Sequence, residues 1–157
     1  MDRTERDLLR HTLATLSYRA AKTIHEAPPE FATFDGGGRT PHSIVGHLGD
    51  LIEWALSMAD GRRVWQEAVL TSWSQDAARF FAAMQSFDDY LASDQELKCD
   101  GRKLFQGPIA DALTHVGQLA MLRRMAGAPI VTENYFAAEV TTGRVGADQA
   151  PPRRPIK

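Results

Sequence analysis

Two histidines and one aspartate stand out because their types and spacing suit a bound metal ion. Asp111 and His115 are four residues apart in a segment with helical periodicity, and side chains at that spacing lie about 5 to 6 Å apart on one helix face. His47 lies on the inward face of an earlier predicted helix. Two imidazoles and one carboxylate suit Zn, Ni, Fe or Mn and leave positions open for water or substrate. The pattern therefore predicts a site for a single divalent ion.

The same residues have a plainer interpretation. A carboxylate and a histidine four residues apart often form only a hydrogen bond, and a histidine on an apolar face is usually a core residue with a polar partner. Under this alternative the chain is a non-catalytic helical dimer, stabilised by a structural metal or by a buried Asp111–His115 hydrogen bond.

Other polar residues are weaker candidates. Asp50, three residues after His47, could accept a hydrogen bond from that imidazole, replace Asp111 as a ligand, or act as a general base. His42 is predicted to point away from His47 into solvent. Tyr18, on the first predicted helix, is given no role. The one cysteine, Cys99, excludes an internal disulfide and a multi-cysteine metal site, as is usual in a reducing cytoplasm.

Four helices are predicted to position these residues, because apolar side chains recur at spacings of three and four. Proline and glycine clusters separate them. The predicted segments are residues 4 to 26, Thr40 to about Ala59, Ser74 to Leu91, and Gly107 to about Ala126. No alternating strand pattern persists, so the predicted fold class is all-α. The tail from about residue 132 is expected to be partly irregular, beginning with a short helix around Tyr135 to Val140.

Length, composition and charge indicate what class of protein this is. The 157 residues, 43% hydrophobic and 24% charged, predict one folded domain over residues 1–157. A net charge of -2 without basic clusters argues against a nucleic-acid partner. No apolar run is long enough to span a membrane, and the first twenty residues carry Asp2, Glu5, Asp7 and Arg10 where a signal peptide would be apolar. We therefore expect a soluble cytoplasmic protein.

The second predicted helix has apolar residues on two sides. Val45, Ile52 and Leu56 lie opposite the face that carries His47. Such a helix is either central among the others or half covered by another subunit. A homodimer formed through this face is therefore one prediction.

Two stretches resemble a known family. Residues 40–54, in which His47 precedes a hydrophobic run ending at Trp54, resemble the second helix of DinB-like proteins. Residues 111–120 are similar to a later helix of that family, in which a metal-binding His-x-x-x-His pair precedes a Gly-Gln-Leu run. The chain departs from that motif because Asp111 replaces the first histidine, although the mycothiol-dependent maleylpyruvate isomerase relatives have a carboxylate at the similar position.

The resemblance covers nearly the whole chain. It implies a four-helix bundle with a long crossover between helices two and three, and a homodimer. It also implies one metal ion held by His47, Asp111 and His115. The implied activities are thiol-dependent transfer or isomerisation, or hydrolysis, of a small-molecule substrate, with a low-molecular-weight thiol as a further cofactor.

Overall fold

The computed structural model describes residues 3–153, and these residues form helices and irregular connections without any strand. The predicted all-α class is confirmed. The first three long helices are α1 (Arg3–Ile24), α2 (Pro41–Ala59) and α3 (Trp73–Ala92). A single-turn helix, α4 (Gly101–Leu104), follows them. It continues through a π-helical turn (Phe105–Ile109) into the fourth long helix, α5 (Ala110–Met125).

The predicted start of α2 is confirmed by its cap. The Thr40 hydroxyl accepts a hydrogen bond from the Ser43 backbone N–H at 3.2 Å, and Pro41 occupies the first turn, where its missing N–H is not needed. Ser72 caps α3 in the same way by accepting from the Gln75 N–H. Both helices thus begin where side-chain oxygens satisfy free amides.

The fourth predicted helix starts earlier than the sequence indicated. Asp100, not Gly107, provides the N-terminal cap by accepting from the Arg102 N–H at 3.0 Å. Pro108 then lies inside a continuous helical segment, not at its beginning. The π-helical turn at Phe105–Ile109 accommodates this proline, whose missing N–H would break an ordinary α-helical ladder.

The short helix predicted around Tyr135 to Val140 is also absent. Those residues form only a turn, in which the Ala137 N–H donates to the Asn134 carbonyl at 3.0 Å. One such turn is too short to continue as a helix without a packed apolar face. Residues 132–153 form turns and irregular structure.

Contacts between α2 and α3 show that these helices run in the same direction. His42 and Asp76 meet near their starts, with Nε2 and Oδ2 at 2.7 Å. Near their ends, the Tyr90 hydroxyl donates to the Ala59 carbonyl at 3.2 Å. The intervening chain must therefore return along the full length of α2.

That return segment, residues 60–72, is held against α2 at several points. The Ser57 hydroxyl donates to the Val64 carbonyl at 2.9 Å. Further along, Asp50 Oδ1 accepts from the Ala68 N–H at 3.2 Å. We call residues 64–71 of this connection the strap. Its path places it along the side of α2, between the end of that helix and the start of α3.

The other helix directions follow from similar contacts. Arg10 of α1 pairs with Asp88 near the end of α3 at 2.9 Å, so those two helices are antiparallel. The Arg123 guanidinium donates to the Thr23 carbonyl at 3.0 Å, which joins the ends of α1 and α5 and makes them parallel. Helices α2 and α5 are antiparallel, because Gly36, just before α2, packs against Leu122 near the end of α5.

One hydrophobic core draws on all four long helices and on Val145 of the tail. Val45 and Ile52 are fully buried in it, and Leu56 is half-buried. The second apolar face of α2 is therefore covered by the chain itself and does not offer the predicted dimer surface. In residues 3–153, none of the helices is both long enough and apolar enough to cross a bilayer.

Candidate metal centre

The antiparallel packing of α2 and α5 brings His47, Asp111 and His115 together. The Nε2 atom of His47 is 3.9 Å from Asp111 Oδ2, and the Nε2 atom of His115 is 3.5 Å from Asp111 Oδ1. One ligating atom from each of the three residues lies within 4.8 Å of the others. The structure therefore brings the three residues together, and their side chains could hold a metal ion.

The depth of the cluster differs from the sequence prediction. The histidine side chains are largely covered, at 17% exposed for His47 and 13% for His115, but Asp111 is 48% exposed. The fully covered stripe of α5 is formed instead by Ala112, Val116 and Leu119. Asp111 and His115 lie at the flank of that stripe, so the cluster is open to solvent on the Asp111 side.

Gln118 orients His115. Its side-chain oxygen is 2.9 Å from Nδ1 of the imidazole. Because an amide oxygen only accepts hydrogen bonds, this contact places a proton on Nδ1, and in the neutral imidazole the lone pair is then on Nε2. That lone pair is on the nitrogen nearest Asp111. A hydrogen bond of this kind commonly fixes the ring of a metal-binding histidine.

The surroundings of His47 favour its neutral form. Burial lowers the pKa of His47, and the positive charges of Arg39 and His115 lower it further, whereas Asp111 and Asp50 act weakly in the opposite direction. The imidazole is therefore neutral at physiological pH. Neutral imidazole is the form that binds metals.

Asp50 does not join the cluster. Its Oδ1 atom accepts from the Arg79 guanidinium at 3.0 Å and from the Ala68 N–H of the strap. The side chain is nearly buried, at 8% exposed. Asp50 therefore ties the strap and α3 to α2, and the structure gives no support to its predicted role as a ligand or base.

The structure changes the predicted position of His42 and gives Tyr18 a partner. His42 is not a solvated residue, because its Nε2 atom contacts Asp76 at 2.7 Å and its side chain is only 19% exposed. Tyr18 is fully buried, and its hydroxyl donates to Glu133 at 2.7 Å. This places Tyr18 in a contact between α1 and the tail.

Three residues around the cluster were not predicted from the sequence. Trp65 of the strap contacts the His47 ring, with centroids 6.0 Å apart. Gln118 contacts Nδ1 of His115, and the charge of Arg39 lowers the pKa of His47. Of these, only Gln118 had a local signal, its position three residues after His115, since such pairs are neighbours on a helix.

Comparison of the chain with models of protein families, with curated proteins and with solved structures gave no match. The geometry of the residues themselves must therefore support any functional assignment.

Proposed function

We propose that this chain is a metal-dependent enzyme of the DinB-like superfamily that holds one divalent ion with His47, Asp111 and His115. The observation that supports this proposal is the convergence of three ligating atoms within 4.8 Å. Tetrahedral ligands at about 2.0 to 2.2 Å from zinc are roughly 3.4 Å from one another. The Asp111–His115 distance of 3.5 Å is close to that value.

The helix arrangement supports the family proposal. Helices α2 and α3 are parallel to each other, α1 and α5 are parallel to each other, and the two pairs run in opposite directions. This matches a four-helix bundle whose second and third helices are joined by a long crossover. The strap has the path that such a crossover requires. The cluster lies between two helices of this arrangement, on backbone segments that are rigid enough to hold ligands in place.

The histidines, the ion and Asp111 would each contribute differently to the reaction. His47 and His115 each offer an imidazole nitrogen, and the Gln118 contact places a proton on the other ring nitrogen of His115. When bound, a divalent ion, Zn or Ni first and Fe or Mn next, supplies Lewis acidity that favours the deprotonated form of a water or a low-molecular-weight thiol. The exposed side of Asp111 gives a small molecule access. Thiol-dependent transfer or isomerisation, or hydrolysis, is the corresponding reaction class.

The non-catalytic alternative is less well supported. Asp111 is 3.5 Å from His115 and 3.9 Å from His47, and both distances exceed those of ordinary hydrogen bonds. Within the described residues the cluster has three members, whereas structural zinc sites are usually closed by four protein ligands. Both observations favour an ion that is open to substrate.

Metal analysis of freshly purified protein, prepared without a nickel column, tests the proposal. We expect stoichiometric divalent metal in the wild type and none in the His47→Ala, His115→Ala double variant. The matched control is the His11→Ala, His25→Ala double variant, because both of those histidines are exposed. Stoichiometric metal in the first double variant would show that the ion is bound elsewhere.

A further inference from the structure

Trp65 is an exposed aromatic residue beside the candidate metal centre. Its surface is 44% exposed, although its ring contacts His47 at 6.0 Å and Trp54 at 5.7 Å between centroids. Both contacts are edge-to-face, with interplanar angles of 71° and 88°. Trp65 thus packs on one side against the chain and presents its remaining surface to solvent.

The strap holds this tryptophan in place. Immediately before Trp65, the Val64 N–H donates to the Ser57 hydroxyl at 3.1 Å, and that hydroxyl donates back to the Val64 carbonyl. Three residues after Trp65, the Ala68 N–H is held by Asp50. Hydrogen bonds on both sides reduce the freedom of the backbone, so the indole is positioned before any ligand arrives.

We propose that the exposed surface of Trp65 is a substrate-binding wall, and that the substrate carries an apolar, preferably aromatic, group next to its reacting group. A molecule bound at the ion lies next to the His47 imidazole. Trp65 contacts that imidazole, and in this proposal the adjoining part of the molecule packs against the exposed surface of the indole. Aromatic rings attract one another at centroid distances of about 4.5 to 7 Å, and binding sites commonly combine apolar walls with a few polar anchors.

This inference rests on the proposed metal centre and adds the class of substrate. Exposed apolar residues are common on protein surfaces, so exposure alone would not single out Trp65. The distinguishing observation is its contact with His47. Val69, on the same strap, is 88% exposed and provides a matched apolar control.

Two hydroxamates test the wall on protein loaded with Co(II). Acetohydroxamate and benzohydroxamate bind Co(II) through the same group and differ in the phenyl ring. Binding is followed by the visible absorption of Co(II), and each affinity is corrected for the affinity of that hydroxamate for free Co(II). We expect the wild type to prefer benzohydroxamate.

The variants then separate the ring contact from metal binding. Trp65→Ala should weaken benzohydroxamate binding about two- to tenfold and leave acetohydroxamate binding unchanged. Trp65→Phe, which keeps an aromatic ring, should retain most of the preference. Val69→Ala should change neither affinity.

Two results would overturn the inference. One is equal corrected affinity of the wild type for both hydroxamates, which requires no variant to fold. The other is an equal loss of affinity for both hydroxamates in Trp65→Ala, which would mean that the tryptophan only positions His47. Cobalt content is measured before any hydroxamate is added, so failure of the wild type to load metal is recognised separately, as failure of the proposed function itself.

Discussion

His47 and His115 meet edge to face, with ring centroids 4.8 Å apart and ring planes at 89°. Two imidazoles this close repel each other when both carry a proton, and the charge of His115 accordingly contributes to the lowered pKa of His47. The pair is most stable when at least one ring is neutral. A shared divalent ion needs both rings neutral.

Chelator should lower the melting temperature of the wild type, because an ion bound only to the native state stabilises it by mass action. An ion present at a hundred times its dissociation constant contributes about 2.7 kcal/mol, which corresponds to roughly 5 to 10 °C in a chain of this size. In His115→Ala the chelator should have no effect. Thermal unfolding with and without chelator or added zinc measures both. If wild-type melting does not respond to either addition, no ion stabilises this fold.

Acidification should protonate His47 later than an ordinary histidine. Its lowered pKa means that the neutral form persists below the reference value of about 6.5. Its contribution to stability is therefore present above the unfolded-state pKa and is lost as pH falls toward the folded-state pKa. Ring-proton NMR titration of metal-free protein measures this pKa directly.

The charge of Arg39 gives a control for the cause of that shift. Arg39→Gln should raise the pKa of His47, because one of the positive charges that lower it is removed. Arg124→Gln, which changes an exposed arginine near the end of α5, should leave it unchanged. An unaltered His47 titration in Arg39→Gln would assign the lowered pKa to burial and to the charge of His115.

Gly49→Ala should destabilise the protein, because the added Cβ would lie 2.7 Å from Cζ of Arg79. The displaced guanidinium would lose its hydrogen bonds to the Gly46 carbonyl at 2.7 Å and to Asp50 at 3.0 Å. We expect a loss of about 1 to 3 kcal/mol in the free energy of unfolding, measured by urea denaturation.

Gly117→Ala is the matched control for that substitution. Outside the helix's own backbone and the two adjoining residues, no atom of the described structure lies within 4 Å of the added Cβ. Alanine also favours helix over glycine by about 1 kcal/mol. This variant should therefore be more stable than the wild type. If the free energy of unfolding changed in the same direction in Gly49→Ala and Gly117→Ala, the role assigned to Arg79 would be contradicted.

Asp76→Asn should destabilise the junction of α2, α3 and the strap. The carboxylate accepts from the Thr71 N–H at 3.0 Å and contacts His42 at 2.7 Å. Burial alone would raise the pKa of Asp76, but these contacts outweigh it and hold the pKa below its usual range. The stabilisation is present above the unfolded-state pKa, about 3.8, and is lost as pH falls through the folded-state value.

We expect Asp76→Asn to lower the free energy of unfolding at neutral pH by about 1 to 3 kcal/mol. The difference from wild type should shrink as the pH falls below the usual carboxylate range. Asp89→Asn changes an exposed aspartate of the same helix and should have little effect. An equal loss of unfolding free energy in the two variants would show that the buried contacts of Asp76 do not stabilise the protein.

The sequence predicted those features that depend on near neighbours along the chain. Apolar residues at spacings of three and four indicated the long helices, and Thr40 before Pro41 located the start of α2, because both signals act within one or two turns. The pairing of Asp111 with His115 is of the same kind. Pro108 was misread because proline alone does not tell whether a helix begins there or widens around it.

The other features of the candidate site depend on tertiary structure. Only the antiparallel packing of α2 and α5 places His47 beside Asp111, and only the return path of the strap places Trp65 against His47. The 48% exposure of Asp111 likewise depends on what the neighbouring helices cover. Each of these features results from packing among residues distant in the chain, and local periodicity specifies which face of a helix is apolar but not which helix will cover it.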